Sequence, residues 1–274
     1  ADRIAVLRDG RIVETGPTGS VTTAPHHEHT SQLLTAADSI RSAPRPADDS
    51  YHPSATPPVV TIDRVSVTYR SGTSAIPALR DASLTVQAGE IVGIAGPSGS
   101  GKSTLLRIAS GIELPGSGTV TFADGQASAP RGYVMPVFQD PVASLDRRWP
   151  IWRSITEPVT ASQRLSRQER LRLARDALAQ VRLGQLDPRR LPGQLSVGQC
   201  QRVAIARALI ARPALIIADE PTASLDVTTA AEIVDLLRLT RLSGLAIALV
   251  SHDEALLAAV ADRIVRIRDG RTAP

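Results

Sequence analysis

With 274 residues, 42% of them apolar, the chain can build one large α/β domain or two modest ones, and at 3% aromatics its core rests on Leu, Ile, Val and Ala. A single cysteine, Cys200, excludes an intramolecular disulfide and any cysteine-based metal or iron–sulfur centre, and no apolar run reaches the length of a membrane span. The net charge of +4 comes from arginines interleaved with acids, the pattern of a solvated surface rather than a nucleic-acid-binding stripe.

The chain begins with Ala1-Asp2-Arg3-Ile4-Ala5-Val6-Leu7-Arg8-Asp9-Gly10-Arg11, which returns as Ala261-Asp262-Arg263-Ile264-Val265-Arg266-Ile267-Arg268-Asp269-Gly270-Arg271. Each copy reads as a strand, an Asp-Gly turn and the start of a second strand. Duplication explains the likeness, so residues 1–15 are expected to be the closing hairpin of a preceding domain of the same kind. Residues 16–57 are rich in Pro, Ser, Thr and Ala and read as a tail and flexible linker, with one short helical pattern from Thr30 to Ile40. His26, His27 and His29 have no accompanying ligand pattern beyond Glu28 and are read as part of that tail.

From residue 58 to 274 the text is that of a folded domain. Val59 to Tyr69 and Ala78 to Val86 alternate as strands do. The apolar run Ile91 to Ala95 then feeds Gly96-Pro97-Ser98-Gly99-Ser100-Gly101-Lys102-Ser103-Thr104, followed by the helical Leu105 to Ile108. Strand, glycine-rich loop and helix are the parts of a P-loop: backbone N–H groups curl around phosphates and the helix N-terminus faces them. Lys102, the only lysine of the chain, is placed to reach the β- and γ-phosphates, and the Ser103 hydroxyl to sit on Mg²⁺. Gly118 to Phe122 and Tyr133 to Phe138 are further strands, and between Ile151 and Leu183 the period turns helical. Val203 to Ala211 is a helix, and the buried strand Ala214 to Ala218 delivers Asp219 to the Mg²⁺ side and Glu220 to the attacking water. A helix from Ala230 to Leu242, a strand from Leu245 to Val250 and a helix from Glu254 to Val260 complete an alternation that implies a parallel sheet.

The run Leu195-Ser196-Val197-Gly198-Gln199, leading into Cys200-Gln201-Arg202, resembles the signature motif of ATP-binding cassette (ABC) ATPases. Over residues 59–271 the other landmarks of that family appear in order. The resemblance implies a P-loop NTPase of ABC type: a RecA-like parallel-sheet core, an antiparallel β subdomain, and a helical subdomain at about 141–200. It makes Tyr69 the aromatic that stacks on adenine, Gly96 to Thr104 the ATP-binding loop, and Gln139 a glutamine that contacts Mg²⁺ or water. It makes Ser224 and Asp226 part of the loop after the acidic pair, and His252 the switch histidine at the γ-phosphate. With ATP and Mg²⁺ as cofactors, Glu220, His252 and Gln139 form the catalytic set, and Ser103, Gln139 and Asp219 the metal set. Leu195 to Gln199 would close on ATP bound to a second cassette. Val197 stands where the family usually has Gly, and Cys200 where Arg or Lys is common, which puts one composite site in question.

Gln139-Asp140-Pro141-Val142-Ala143-Ser144-Leu145-Asp146 resembles the ATPases of oligopeptide, dipeptide and nickel importers, as does Gly10 to Thr18 with His29 to Leu34. That resemblance implies a peripheral subunit at the cytoplasmic face of the cell membrane. It would be the second half of a fused pair that drives permease subunits and, indirectly, an extracytoplasmic solute-binding protein. The alternative is a soluble tandem ABC protein working on ribosomes or nucleic acid. That class joins its cassettes by a long charged helical arm, unlike the linker here, so no nucleic-acid partner is expected.

Overall fold

The computed structural model describes residues 2–8, 10–42, 57–71, 74–241 and 243–273. The elements run β1 (Arg3–Arg8), β2 (Arg11–Pro17), α1 (Thr18–Thr23), α2 (Glu28–Ser42), β3 (Val60–Ser71), β4 (Ser74–Val86), β5 (Ile91–Ala95), α3 (Lys102–Ala109), β6 (Ser117–Phe122) and β7 (Val134–Val137). They continue as α4 (Ile151–Thr160), α5 (Arg167–Gln180), α6 (Val197–Ile210), β8 (Leu215–Asp219), α7 (Val227–Arg241), β9 (Ala246–Val250), α8 (Glu254–Val260), β10 (Arg263–Arg268) and β11 (Arg271–Ala273).

The centre is a six-stranded sheet in the order β11-β10-β5-β9-β8-β7, parallel throughout except for the edge strand β11. Its central strands β5, β8 and β9 are continuous apolar runs because both faces are covered. Alternation along each strand divides them: Ile91, Ile216, Ile247 and Leu249 join one buried cluster with α4 to α8, while Val92, Ile94, Leu215, Ile217 and Ala248 join another with α3 and the antiparallel sheet β4-β3-β6. The expected parallel core with its antiparallel β subdomain is therefore present. Glu90, fully buried, fixes the entry to β5 by accepting from the Gln87 N–H at 2.7 Å and from Arg263 Nε at 2.6 Å.

Two details differ from the sequence reading. The helix expected from Val203 starts at Val197, because Ser196 and Gln199 form a capping box that the signature motif had absorbed as a ligand contact. Residues 18–42, inside the expected tail, form α1 and α2, and α2 packs against α7 and α8. What anchors them is Glu14, whose carboxylate accepts the His26 N–H at 2.8 Å and the His27 N–H at 3.1 Å. The His26 N–H first, then the Thr30 side chain and the His27 N–H, hold the Glu14 carboxyl below its ordinary value against burial. The remainder of the proposed linker, residues 43–56, lies outside the described residues.

The two copies of the sequence repeat meet different neighbours. β10 pairs with β5, and Ile267 is buried against the P-loop. In the two-stranded sheet of β1 and β2, Leu7 faces Ile12 across the ladder and both are exposed.

Candidate functional site

The loop 96–101 leaves β5 and turns into α3 over Gly101, which has φ of 107°. A Cβ there would sit 2.4 Å from the Ala78 carbonyl oxygen, so the turn requires glycine for both conformation and space. At Gly99 a Cβ would meet nothing within 4 Å, which leaves the outer side of the loop open. Lys102 Nζ folds back to donate to the Gly96 and Pro97 carbonyls at 2.8 Å each. Ser100 Oγ is buried without a partner among the described residues. The loop thus brings together an ammonium and a hydroxyl left to bond, donors that suit phosphate oxygens.

β8 runs parallel to β9, and the register brings their ends together. Asp219 Oδ2 accepts from Ser103 Oγ at 3.4 Å. Burial, and then the adjacent Glu220 charge, push the Asp219 carboxyl up, against the opposing pull of Ser103 and Lys102. A half-buried carboxylate beside a hydroxyl is a hard-oxygen donor pair, and a cation such as Mg²⁺ suits it. Glu220 has φ of 46°, an uncommon backbone state for a side chain, locked by its N–H to the Val250 carbonyl at 3.0 Å. That turn aims its carboxylate where two other loops converge. Gln139 Nε2 donates to Glu220 Oε2 at 3.2 Å, and His252 Nδ1 lies 3.3 Å from the same oxygen. Asp253 fixes the histidine loop by capping α8, accepting from the Ala255 and Leu256 N–H groups. Glu220, Leu225, Ser251, His252 and Asp253 line one cavity of about 270 Å³, whose far wall includes Ala37 of α2.

The structure therefore gathers Lys102, Ser103, Gln139, Asp219, Glu220 and His252. Tyr69, on β3, reaches the same region from the antiparallel sheet, its hydroxyl 3.3 Å from Thr104 Oγ1. The signature residues stand apart: no hydrogen bond or ion pair joins 195–199 to 96–104 among the described residues. Ser196 Oγ accepts the Gln199 N–H at 3.2 Å, so the hydroxyl caps α6. Val197 is 42% exposed and meets no steric objection, whereas a Cβ at Gly198 would lie 2.5 Å from Thr229 Cγ2. Asp226 caps α7 through Thr229, accepting its N–H at 2.9 Å and its hydroxyl at 2.7 Å. Burial raises the Asp226 carboxyl, yet these bonds together outweigh it and hold the group below its ordinary value. Among the described residues no side-chain partner defines a role for Ser224.

The sequence reading missed Glu113, Thr229 and the Arg202–Glu232 ion pair, which ties α6 to α7. Glu113, Thr229 and Glu232 belong to no motif, Arg202 continues the signature run, and only the folded chain sets these side chains against one another. Cys200 is fully buried with its thiol 3.6 Å from the Pro192 carbonyl, and burial pushes the thiol up. Native protein is expected to react with an aromatic disulfide reagent at least about a hundredfold more slowly than protein in denaturant. Prompt reaction of the native thiol would show that the N-terminal half of α6 opens.

Residues 79–223 match the family described as ABC transporter. The chain is 35% identical over 290 residues to the peptidoglycan transport ATP-binding protein YejF of Agrobacterium fabrum, covering 99% of this chain and 51% of that one. It is 40% identical over 220 residues to the lipoprotein-releasing system ATP-binding protein LolD of Bordetella avium, covering 77% and 94%. A dimeric post-hydrolysis ATP-binding cassette with ADP and Pi bound superposes with a TM-score of 0.71 at 32% identity, over 78% of this chain and 97% of that one. Four relatives, D,D-dipeptide and peptide transport ATP-binding proteins among them, are longer proteins of which the chain spans between 51% and 61%.

Proposed function

Because the chain belongs to the ABC transporter family, as an ATPase cassette, we propose that it powers membrane permease subunits by closing on a second cassette around ATP and reopening on hydrolysis. The observation that carries this is the division of the site. Gln139 and His252 meet on the Glu220 carboxylate beside Ser103 and Asp219, while the Ser196 helix start lies apart from its own P-loop.

In this reading Lys102 leaves the Gly96 and Pro97 carbonyls to bind the β- and γ-phosphates, and Tyr69 offers a ring to the purine. Glu220 accepts a proton from the attacking water, and His252 and Gln139 hold that water and the γ-phosphate in line. Mg²⁺ on Ser103, Asp219 and Gln139 would neutralise charge on the phosphate oxygens. The signature residues Leu195 to Gln199 serve the site of the second cassette. The repeat of residues 1–11 at 261–271 supports a fused partner cassette preceding this one, whose core β1 would complete as β10 completes β5.

The solute is a peptide or a related small compound, nickel included, and an extracytoplasmic binding protein hands it to the permease. The resemblance of residues 139–146 to importers supports that direction, as do relatives named for peptidoglycan and D,D-dipeptide transport. The likeness to LolD supports release of a lipoprotein outward as the second reading. Both readings put the chain at the cytoplasmic face of the membrane, as a peripheral subunit. Full-length protein reconstituted with its permease subunits in vesicles, with ATP on the cassette side, tests this. Peptide-dependent ATP turnover with peptide accumulation is expected. Turnover coupled to lipoprotein release would select the second reading, and turnover that ignores the permease would overturn both.

A further inference from the structure

We propose that Glu113 is a positioning residue for the nucleotide base, acting through Tyr69. This rests on reading Tyr69 as the base platform. The Tyr69 hydroxyl donates to Glu113 Oε2 at 2.7 Å, a short bond to a carboxylate and stronger than a neutral pair. Glu113 is itself held. Its N–H, like that of Ile112, returns to the Arg107 carbonyl, at 3.2 and 3.1 Å, in the last turn of α3.

The tether therefore runs from β3, through the phenol, to the far end of the helix whose first turn carries Lys102 and Ser103. Thr104, beside Ser103, lies 3.3 Å from the same hydroxyl. The ring is thus fixed at its polar tip. Among the described residues no other aromatic ring and no cation stacks on it, and Tyr69 is 37% exposed. A ring held at its edge with a free face suits a flat purine. The freedom that a loose tyrosine would lose on stacking has already been removed. The bond also couples base to phosphates: a shift of α3 as the loop closes on triphosphate is transmitted to the platform. The ligand class is a purine nucleoside triphosphate, with the base held by orientation rather than by a hydrogen-bond code.

Steady-state ATP hydrolysis by the full-length protein, with competition by Mg²⁺-tripolyphosphate as a base-free probe, separates the outcomes. Glu113→Ala and Tyr69→Phe should each raise KM for ATP roughly three- to tenfold at unchanged kcat. Glu113→Gln, which keeps an acceptor oxygen, should stay near wild type, and tripolyphosphate inhibition should not change in any of the three. Loss of tripolyphosphate inhibition in Glu113→Ala would mean a merely structural role and overturn the proposal. Tyr69→Ala is the control for the platform. If it weakens ATP while Glu113→Ala and Tyr69→Phe do not, the positioning role fails and the platform stands. If Tyr69→Ala leaves KM unchanged, the platform reading itself fails.

Discussion

Lys102→Ala is expected to weaken MgATP binding by about a hundredfold, equivalent to about 2.8 kcal/mol, with the thermal midpoint of the free protein little changed. Within the loop the ammonium closes the ring onto the Gly96 and Pro97 carbonyls, so its removal loses two hydrogen bonds of a solvent-accessible group. With triphosphate bound it faces several anionic oxygens at a helix N-terminus, where a charge-assisted contact has no substitute. Lys102→Arg should fail nearly as badly. A planar fork cannot enter a turn where a Cβ on Gly101 would already lie 2.9 Å from the Leu79 side chain. Titration calorimetry reads both variants. An affinity within threefold of wild type for Lys102→Ala would remove the loop from the ATP site.

The second large effect is on turnover. Glu220→Gln should lower kcat by about 10²- to 10⁴-fold, roughly 2.7–5.5 kcal/mol in the barrier, while MgATP affinity is kept. The amide preserves shape and can still meet Gln139 and His252, but it cannot accept a proton from water. Because the backbone at 220 is held at positive φ by its bond to Val250, the substitution should not redirect the side chain. The paired full-length protein should then accumulate in a nucleotide-bound closed form, visible by its sedimentation and by retained ATP. A Glu220→Gln protein that turns over within threefold of wild type would assign the base elsewhere, with His252 the first candidate.

Much of this site was legible because its chemistry is local in sequence. Gly96 to Thr104 carries its own loop geometry, and Leu215 to Glu220 its own buried strand. The parallel core was legible too, since β5, β8 and β9 are apolar on both faces and alternate with helices. The convergence of Gln139 and His252 on a single oxygen of Glu220 was not legible from spacing. It depends on the β8–β9 register and on a left-handed backbone at Glu220 that no residue type announces. The tie between Tyr69 and Glu113 was equally silent, because an acid in a short loop reads as solvated. The order in residues 18–42 was legible in part: Thr30 to Ile40 read as helical and lies within α2, but α1 and the docking of α2 on α7 and α8 did not show. Their composition is that of a tail, and Glu14, back in β2, supplies backbone bonds that hold them.

That order has a kinetic side. α2 meets α7 and α8 across roughly two hundred positions of chain, so its docking is among the most non-local contacts of the fold and is expected to form late. A contact made late, by a helix with few buried side chains, is also the first to be lost in native-state fluctuations, and its amides should exchange with solvent well before those of β5, β8 or β9. Ala37 on that helix is part of the wall beside His252. The cavity beside Glu220 and His252 is thus bounded on one side by the segment expected to unfasten first, ahead of the core.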